Sequence, residues 1–261
     1  MKTFVKAQIG SAVRYGFQDN AGVPPSPNVT SAACEVLAEF LCTNVRYGES
    51  GVAKLLRLIE DLLEKIGEER YPMFSSKANT LLQLSVLTTF ARLYTIDSIN
   101  KESVFRCLSP LLPKLRKHWM EMLTDYVVIS IADKNAQKNY VGHFYEQPSF
   151  LPQISPFFDS RWEKVYLACC SLLSHKHSLA GREGEGNEER REEGEERRGK
   201  EEEKRREEED FFILFGIGLR VLSKIHGSNV EASALSLARL LENPTHLRLL
   251  FQKVFFLLFS K

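Results

Sequence analysis

The densest cluster of reactive side chains lies in the stretch PKLRKHWMEMLTDYVVI, residues 113–129. It brings His118 and Asp125 together with Trp119 and Tyr126, residue types that could supply an acid, a base or an aromatic binding surface. Apolar residues recur every three to four positions around Trp119, which predicts a helix with Trp119 on its buried stripe. His118 and Asp125 are separated by about 10 Å of helical rise, too far for a direct hydrogen bond. We therefore interpret Trp119 and Tyr126 as core residues.

A second cluster, Cys169 and Cys170 followed by His175 and His177, has the ligand types of a zinc site. Adjacent residues on one helix point about 100° apart, so the two sulfurs cannot easily converge on one ion. We therefore expect no metal site and no other cofactor. The five cysteines are odd in number, scattered, and mostly set in apolar stretches. This usage is typical of reduced core thiols inside a cell rather than of a disulfide framework.

Known catalytic signatures do not occur in the sequence: there is no P-loop, no HExxH pattern and no GxSxG nucleophile motif. We expect no catalytic residue and no enzymatic activity. Residues 181–210 contain 15 acidic and 9 basic residues, out of 34 and 35 in the whole chain. The remaining chain is only mildly basic, which does not indicate a nucleic-acid-binding protein. Neither a signal peptide nor an apolar run of about 20 residues is recognisable, and we expect a cytoplasmic protein.

The elements that carry these residues are predicted to be helical almost everywhere. Stripes of apolar residues at helical spacing follow Ser31 and Ser75, which are suitable helix-capping residues. No segment alternates as a strand would. The spacing favours an all-α, HEAT- or armadillo-like α-solenoid of antiparallel helix hairpins, with hairpin starts near residues 31 and 77. A closed helical bundle is the alternative.

The chain divides into six segments by composition and periodicity. Prolines and glycines without a period predict a long loop at 129–158. The Glu/Arg-rich segment has almost nothing apolar to bury and predicts a disordered charged insert, although spacing such as that of Glu201 and Arg205 could support a solvated helix. The predicted segments are an N-terminal helix with a proline-containing loop (1–30), helical repeats (31–128), the long loop (129–158), a helix (159–180), the low-complexity linker (181–210) and further helical repeats (211–261).

Three stretches together resemble the HEAT repeat-containing protein 5 family, the large HEAT-repeat accessory proteins of a clathrin adaptor complex. They are Ala33–Leu37, the Leu–Trp–Leu–Asp–Tyr helix with the aromatic loop and Trp-bearing helix after it, and 212–217 with the helix that follows. The middle stretch is the most specific. Its landmark residues are Leu115, Trp119, Leu123, Asp125, Tyr126 and Trp162.

The resemblance implies a non-enzymatic scaffold in clathrin-adaptor-dependent membrane trafficking between endosomes and the trans-Golgi. It implies clathrin adaptor subunits and accessory proteins as partners, and a peripheral position on trans-Golgi or endosomal vesicles through those partners. Family members are several times longer, so the chain would correspond to one piece of the C-terminal region of a solenoid. The alternatives are an unrelated HEAT/armadillo scaffold, of the transport-receptor or phosphatase type, and a helical enzyme.

Overall fold

The computed structural model describes residues 2–17, 26–43, 46, 48–66, 75–131, 137, 140–145, 148–180, 193–223, 230–242 and 245–250. Two compact units can be distinguished, Met1–Ala168 and Cys169–Lys261. The described residues are helical with short connections and contain no strand, so the all-α prediction is confirmed. None of the helices in these ranges is both long and apolar enough to cross a membrane.

The helices are numbered here in chain order. They are α1 (Lys2–Phe17), α2 (Pro27–Cys42), α3 (Glu49–Glu64), α4 (Ser76–Tyr94), α5 (Lys101–Leu108), α6 (Leu112–Ile131), α7 (Leu151–Asp159), α8 (Trp162–Ala180), α9 (Glu193–Ser223) and α10 (Val230–Leu241). Single 3-10 turns at Ser109–Leu111 and Pro148–Phe150 lead into α6 and α7.

The first unit stacks helices in two layers. In one layer α1 packs on α3 and α3 on α5, while in the other α2 packs on α4 and α4 on α6. Helices α1 and α2, and likewise α3 and α4, also pack against each other as hairpin partners. This is the arrangement of a HEAT-type solenoid, in which each hairpin buries its apolar stripes against its neighbours. The predicted starts near residues 31 and 77 fall at the second-layer helices α2 and α4.

Local sequence explains where these helices begin. Ser75 caps α4, because its hydroxyl accepts a hydrogen bond from the Ala78 backbone N–H at 3.3 Å. The capping role predicted for Ser31 is wrong: α2 already begins at Pro27, because proline fits the first turn of a helix. Ser31 instead lies buried inside α2, and its hydroxyl is 2.6 Å from the hydroxyl of Ser85 on α4.

Helix α4 occupies the centre of the first unit. It packs against α2, α3, α5, α6 and α7, and nearly all of its side chains are buried or half-buried. Two of its interior hydroxyls are paired within the fold: Ser85 also donates to the Leu81 carbonyl at 2.7 Å, and Thr80 donates to the Phe144 carbonyl at 2.6 Å. Buried hydroxyls are tolerated when they are hydrogen-bonded, and here they also specify which helices meet.

The long loop predicted at 129–158 is wrong at both ends. Helix α6 continues to Ile131, and α7 occupies Leu151–Asp159. Pro152 lies in the first turn of α7, where it needs no hydrogen-bond donor, and Pro156 lies within the helix. Ile154 and Phe158, four residues apart, are buried on one side of α7. The helix predicted at 159–180 corresponds to α8, which begins at Trp162 after a turn at 160–161.

The disordered insert predicted at 181–210 is wrong for its second part. Residues 193–210 are the first half of α9, which continues without a break to Ser223; residues 181–192 lie outside the described residues. Within the second unit α9 packs on α10 and buries Phe211, Leu214 and Ile217. Within the helical repeats predicted at 211–261, residues 245–250 are also helical, and 251–261 lie outside the described residues.

Candidate functional site

The landmark residues of α6 lie in the core of the first unit. Leu115, Trp119, Leu123 and Asp125 are fully buried, and Tyr126 is nearly so. The Trp119 indole N–H donates to the Leu87 carbonyl of α4 at 3.0 Å. The ring is therefore packed in the core while its one polar group keeps a hydrogen-bond acceptor. The helical spacing that places Trp119 on the apolar stripe therefore also joins α6 to the central helix.

Asp125 is a carboxylate without solvent exposure that holds the segment after α6. Its Oδ1 accepts hydrogen bonds from the Tyr140 hydroxyl at 2.9 Å, the His143 backbone N–H at 3.1 Å and the His143 Nδ1 at 2.9 Å. Its Oδ2 accepts from the Phe144 backbone N–H at 3.0 Å. Four donors satisfy both carboxylate oxygens, which is how a buried carboxylate is tolerated.

Residues 140–145, which we name the anchored loop, are thereby fixed to the helices beneath them. The Thr80 hydroxyl of α4 donates to the Phe144 carbonyl at 2.6 Å, so the loop is held from a second helix. Tyr145 is buried, and the backbone of Gly142 lies so close to its ring that a Cβ would overlap the ring. Val141 at the tip remains 71% exposed.

The electrostatics of the loop follow from burial beside a carboxylate. The pKa of the Tyr140 phenol is raised above its ordinary value, first by burial and then by the charge of Asp125 and the hydrogen bond to it. Burial, together with Asp125, likewise raises the pKa of Tyr145. Both phenols therefore stay protonated at neutral pH, and Tyr140 keeps the proton that it donates to Asp125.

A second histidine–carboxylate pair lies one turn earlier on α6. His118 Nδ1 donates to Glu121 Oε2 at 2.8 Å, and the His118 side chain is almost fully buried. Burial of Glu121 raises its pKa, but the hydrogen bond from His118 and the charges of His118, His143 and Lys117 outweigh it, and the net pKa lies below its ordinary value. Glu121 therefore carries charge close to the anchored loop.

Tyr126 and Trp162 join α6 to α8. Their rings stack with centroids 4.8 Å apart and planes 6° from parallel. Trp162 also contacts Tyr166, one turn further along α8, at a centroid distance of 6.0 Å. Burial raises the pKa of the Tyr126 hydroxyl, while a hydrogen bond with Ser130 acts in the opposite direction. The polar partner of this hydroxyl is thus a residue one turn away on the same helix.

The chemistry open to this cluster is limited by its contacts. Within the described ranges, His143 hydrogen-bonds to Asp125 and lies 3.4 Å from the Tyr140 hydroxyl, and neither contact supplies an activated nucleophile. Among the same residues, no group of three or more His, Cys, Asp or Glu side chains could hold a metal ion. Cys169 and Cys170 are buried in α8; the side chains of His175 and His177 lie outside the described part of the chain. The arrangement serves best to fix the anchored loop and present Val141.

Sequence reasoning separated His118 from Asp125 correctly but missed what Asp125 does. Its donors come from residues 140–144, 15 to 19 positions later in the sequence, in a stretch without periodicity. The available signal was a carboxylate beside Tyr126 on an otherwise apolar stripe, because a buried charge requires several donors. That signal could indicate a polar partner for Asp125 without indicating which segment supplies it.

Residues 4–128, which cover α1 to α5 and most of α6, match the family model described as the Laa1/Sip1/HEATR5 HEAT repeat region. Searches of curated proteins and of solved structures gave no significant match. The matched residues coincide with the two-layer helix stack, and they include Leu115, Trp119 and Asp125 of the cluster described above. Residues 4–128 therefore form a HEAT-repeat region of the Laa1/Sip1/HEATR5 family, and this part of the chain is a helical-repeat scaffold.

Proposed function

We propose that the chain acts as a non-enzymatic scaffold in clathrin-adaptor-dependent membrane trafficking between endosomes and the trans-Golgi. In this role it resides in the cytoplasm and reaches vesicles through clathrin adaptor subunits or their accessory proteins. The observation that carries the proposal is the agreement between the family match over residues 4–128 and the two-layer stack of α1 to α6. The resemblance of the α6 landmark residues and the loop after them to the HEAT repeat-containing protein 5 family supplies the trafficking context.

A scaffold of stacked helices binds through extended surfaces rather than through a deep pocket. The anchored loop is our candidate for such a surface in the first unit. Its backbone is fixed by Asp125 and Thr80, so presenting Val141 to a partner costs little additional ordering of the chain. The His143 side chain, 43% exposed, lies beside it and offers a polar contact at the rim.

The test is affinity purification of the tagged full chain from cells after mild cross-linking, followed by mass spectrometry. Enrichment of clathrin adaptor subunits is the expected result. Recovery of transport-cycle GTPases or phosphatase subunits instead would contradict the trafficking role and support an unrelated HEAT/armadillo scaffold. If the purified chain converted a recovered compound into product, and His143→Gln abolished that conversion, the alternative of a helical enzyme would be supported.

Two matched variants test the candidate surface in the same experiment. Val141→Asp charges the tip of the anchored loop, whereas Ile99→Asp charges the connection before α5, where Ile99 is 56% exposed. We expect adaptor recovery to fall by about tenfold for Val141→Asp, which corresponds to losing an interfacial contact of about 1.4 kcal/mol. Equal recovery with both variants would exclude the anchored loop as the contact.

The proposed localisation has its own test. A fluorescently tagged full chain is expected on trans-Golgi or endosomal structures, and it should become diffuse when the adaptor complex is depleted. Retention on those membranes after depletion would contradict recruitment through the adaptor.

A further inference from the structure

Helix α9 joins two segments of opposite character in one continuous helix. Residues 211–219 bury Phe211, Leu214 and Ile217 in the second unit. Residues 193–210 consist of charged residues and two glycines, and the side chains of 201–206 are all exposed. Over 207–210 the described side chains are at most half-buried, so this part of the helix must be stabilised by something other than the core.

Charge spacing supplies that stabilisation. Within 193–210, nine pairs of opposite charge stand four residues apart, such as Glu202 with Arg206 and Arg205 with Glu209, against two pairs of like charge. The described side chains use this spacing: Arg205 Nε lies 3.4 Å from Glu209 Oε1, and Arg206 Nη2 lies 4.0 Å from Glu202 Oε2. Such pairs stabilise a helix even on an exposed face.

The buried half removes the main obstacle to a short charged helix. Starting a helix is unfavourable, because several residues must be ordered before the first hydrogen bond forms, whereas extending an existing helix is close to neutral. Burial of Phe211 and Leu214 already holds the second half of α9 in helical conformation. The charged half therefore only has to extend that helix towards its amino end. Gly194 and Gly199 oppose this, which makes the charge pairs decisive.

We propose that residues 193–210 form a self-supporting charged helix, a rigid arm that projects from the packed half of α9. The 18 residues between Glu193 and Phe211 correspond to about 27 Å at 1.5 Å per residue. The arm fixes the distance between Glu193, where it begins, and Phe211, where the buried part of α9 begins. Because its stability depends on exposed ion pairs, salt loosens the arm without unfolding α10.

The test is millisecond hydrogen exchange of the full chain, read by mass spectrometry on peptides from 193–210, in low salt and in about 1 M salt, where the Debye length is about 3 Å. In low salt we expect slower exchange there than for an unstructured chain of the same sequence, with acceleration in high salt. Peptides from α4 serve as an internal reference and should not respond to salt.

Two charge reversals of equal size separate ion pairing from net charge. Glu202→Lys places a cation four residues from both Arg198 and Arg206, whereas Glu203→Lys places one four residues before Glu207. In low salt we expect Glu202→Lys to accelerate exchange by about fourfold to thirtyfold, because two attractive pairs are replaced by two repulsive ones. We expect Glu203→Lys to leave the exchange unchanged or slow it, and the two variants to converge in high salt.

Two exchange results would overturn the proposal. Unprotected amides at 197–210 in the unmodified chain would show that the arm is not helical in solution. Protection that responds to neither salt nor the two variants would show that a packing contact, and not the charge pairs, stabilises it.

Rigidity is measured separately, with spin labels carried on p-acetylphenylalanine at positions 195 and 207, which take part in no opposite-charge pair four residues apart within 193–210 and leave the native cysteines in place. The helix predicts a narrow distance distribution centred near the helical rise of about 18 Å, widened by the labels. A broad distribution in low salt would refute the rigid arm.

Discussion

The Asp125 carboxylate and the Phe144 backbone N–H lie 3.0 Å apart, although 19 positions separate the two residues in sequence. A fully buried carboxylate on α6 therefore holds the anchored loop in place. We expect Asp125→Asn to lower the free energy of unfolding by about 1–3 kcal/mol, because the amide presents a donor to groups that are themselves donors. Urea unfolding followed by circular dichroism measures the change.

The matched control for Asp125 is Asp97→Asn. Asp97 is a surface carboxylate 3.7 Å from Lys101, and an exposed pair of this kind contributes less than about 1 kcal/mol. Similar unfolding curves for the two variants would argue that Asp125 is not a structural anchor.

Gly142 is expected to tolerate no side chain. Gly142→Ala would drive a Cβ into the ring of Tyr145, and we expect a loss of about 1–3 kcal/mol in unfolding free energy from overpacking. Gly10→Ala in α1 is the control and should change the unfolding free energy in the opposite direction. No atom lies near the position of its Cβ, so the alanine should stabilise the folded chain by about 0.5–1 kcal/mol. Thermal or urea denaturation distinguishes the two, and a neutral Gly142→Ala would show that the loop can move away from Tyr145.

Trp119 is expected to act through packing. Trp119→Ala should cost about 3–5 kcal/mol, since it removes a fully buried large aromatic side chain together with the hydrogen bond to Leu87. Phe105→Ala, at a half-exposed position on α5, should cost much less. If Trp119→Ala left the unfolding free energy nearly unchanged but abolished partner recovery, Trp119 would be a binding residue and the core assignment would fail.

The lowered pKa of Glu121 predicts that part of the free energy of unfolding depends on pH in the acid range. Its pKa in the folded chain lies below the ordinary value of 4.5, so the folded state favours the charged form. The contribution is complete above the unfolded pKa and is lost as pH falls through the lower folded pKa. Urea titrations at several pH values should therefore show the stability difference between the unmodified chain and Glu121→Gln shrinking below about pH 4.5. A pH-independent difference would contradict this linkage.

The elements that were predictable share a regular apolar period. Val52, Leu55, Leu56, Ile59 and Leu63 are spaced as one helical stripe, and the structure buries all of them in α3. Helix α7 was missed because Pro152 and Pro156 read as helix breakers, although a first-turn proline needs no donor. For the second half of the charged segment, the spacing of Glu201 and Arg205 left a solvated helix open, but composition favoured disorder because it gives no sign that a helix can extend back from Phe211. Partners distant in sequence, such as Asp125 and His143, carry no periodic signal.

The position of α4 bears on how the first unit loses its structure. In an ideal repeat array each hairpin touches only its neighbours, so denaturation can begin at one end and spread repeat by repeat. Helix α4 instead touches five other helices and carries Ser85, Thr80 and the Leu87 carbonyl, which bond to α2, to the anchored loop and to Trp119. Removing α2 or α6 exposes a polar group of α4, and losing α4 leaves all five helices without a common core. Helices α2 to α7 are therefore coupled through α4 into one cooperative block, a local exception to the modular melting of a solenoid.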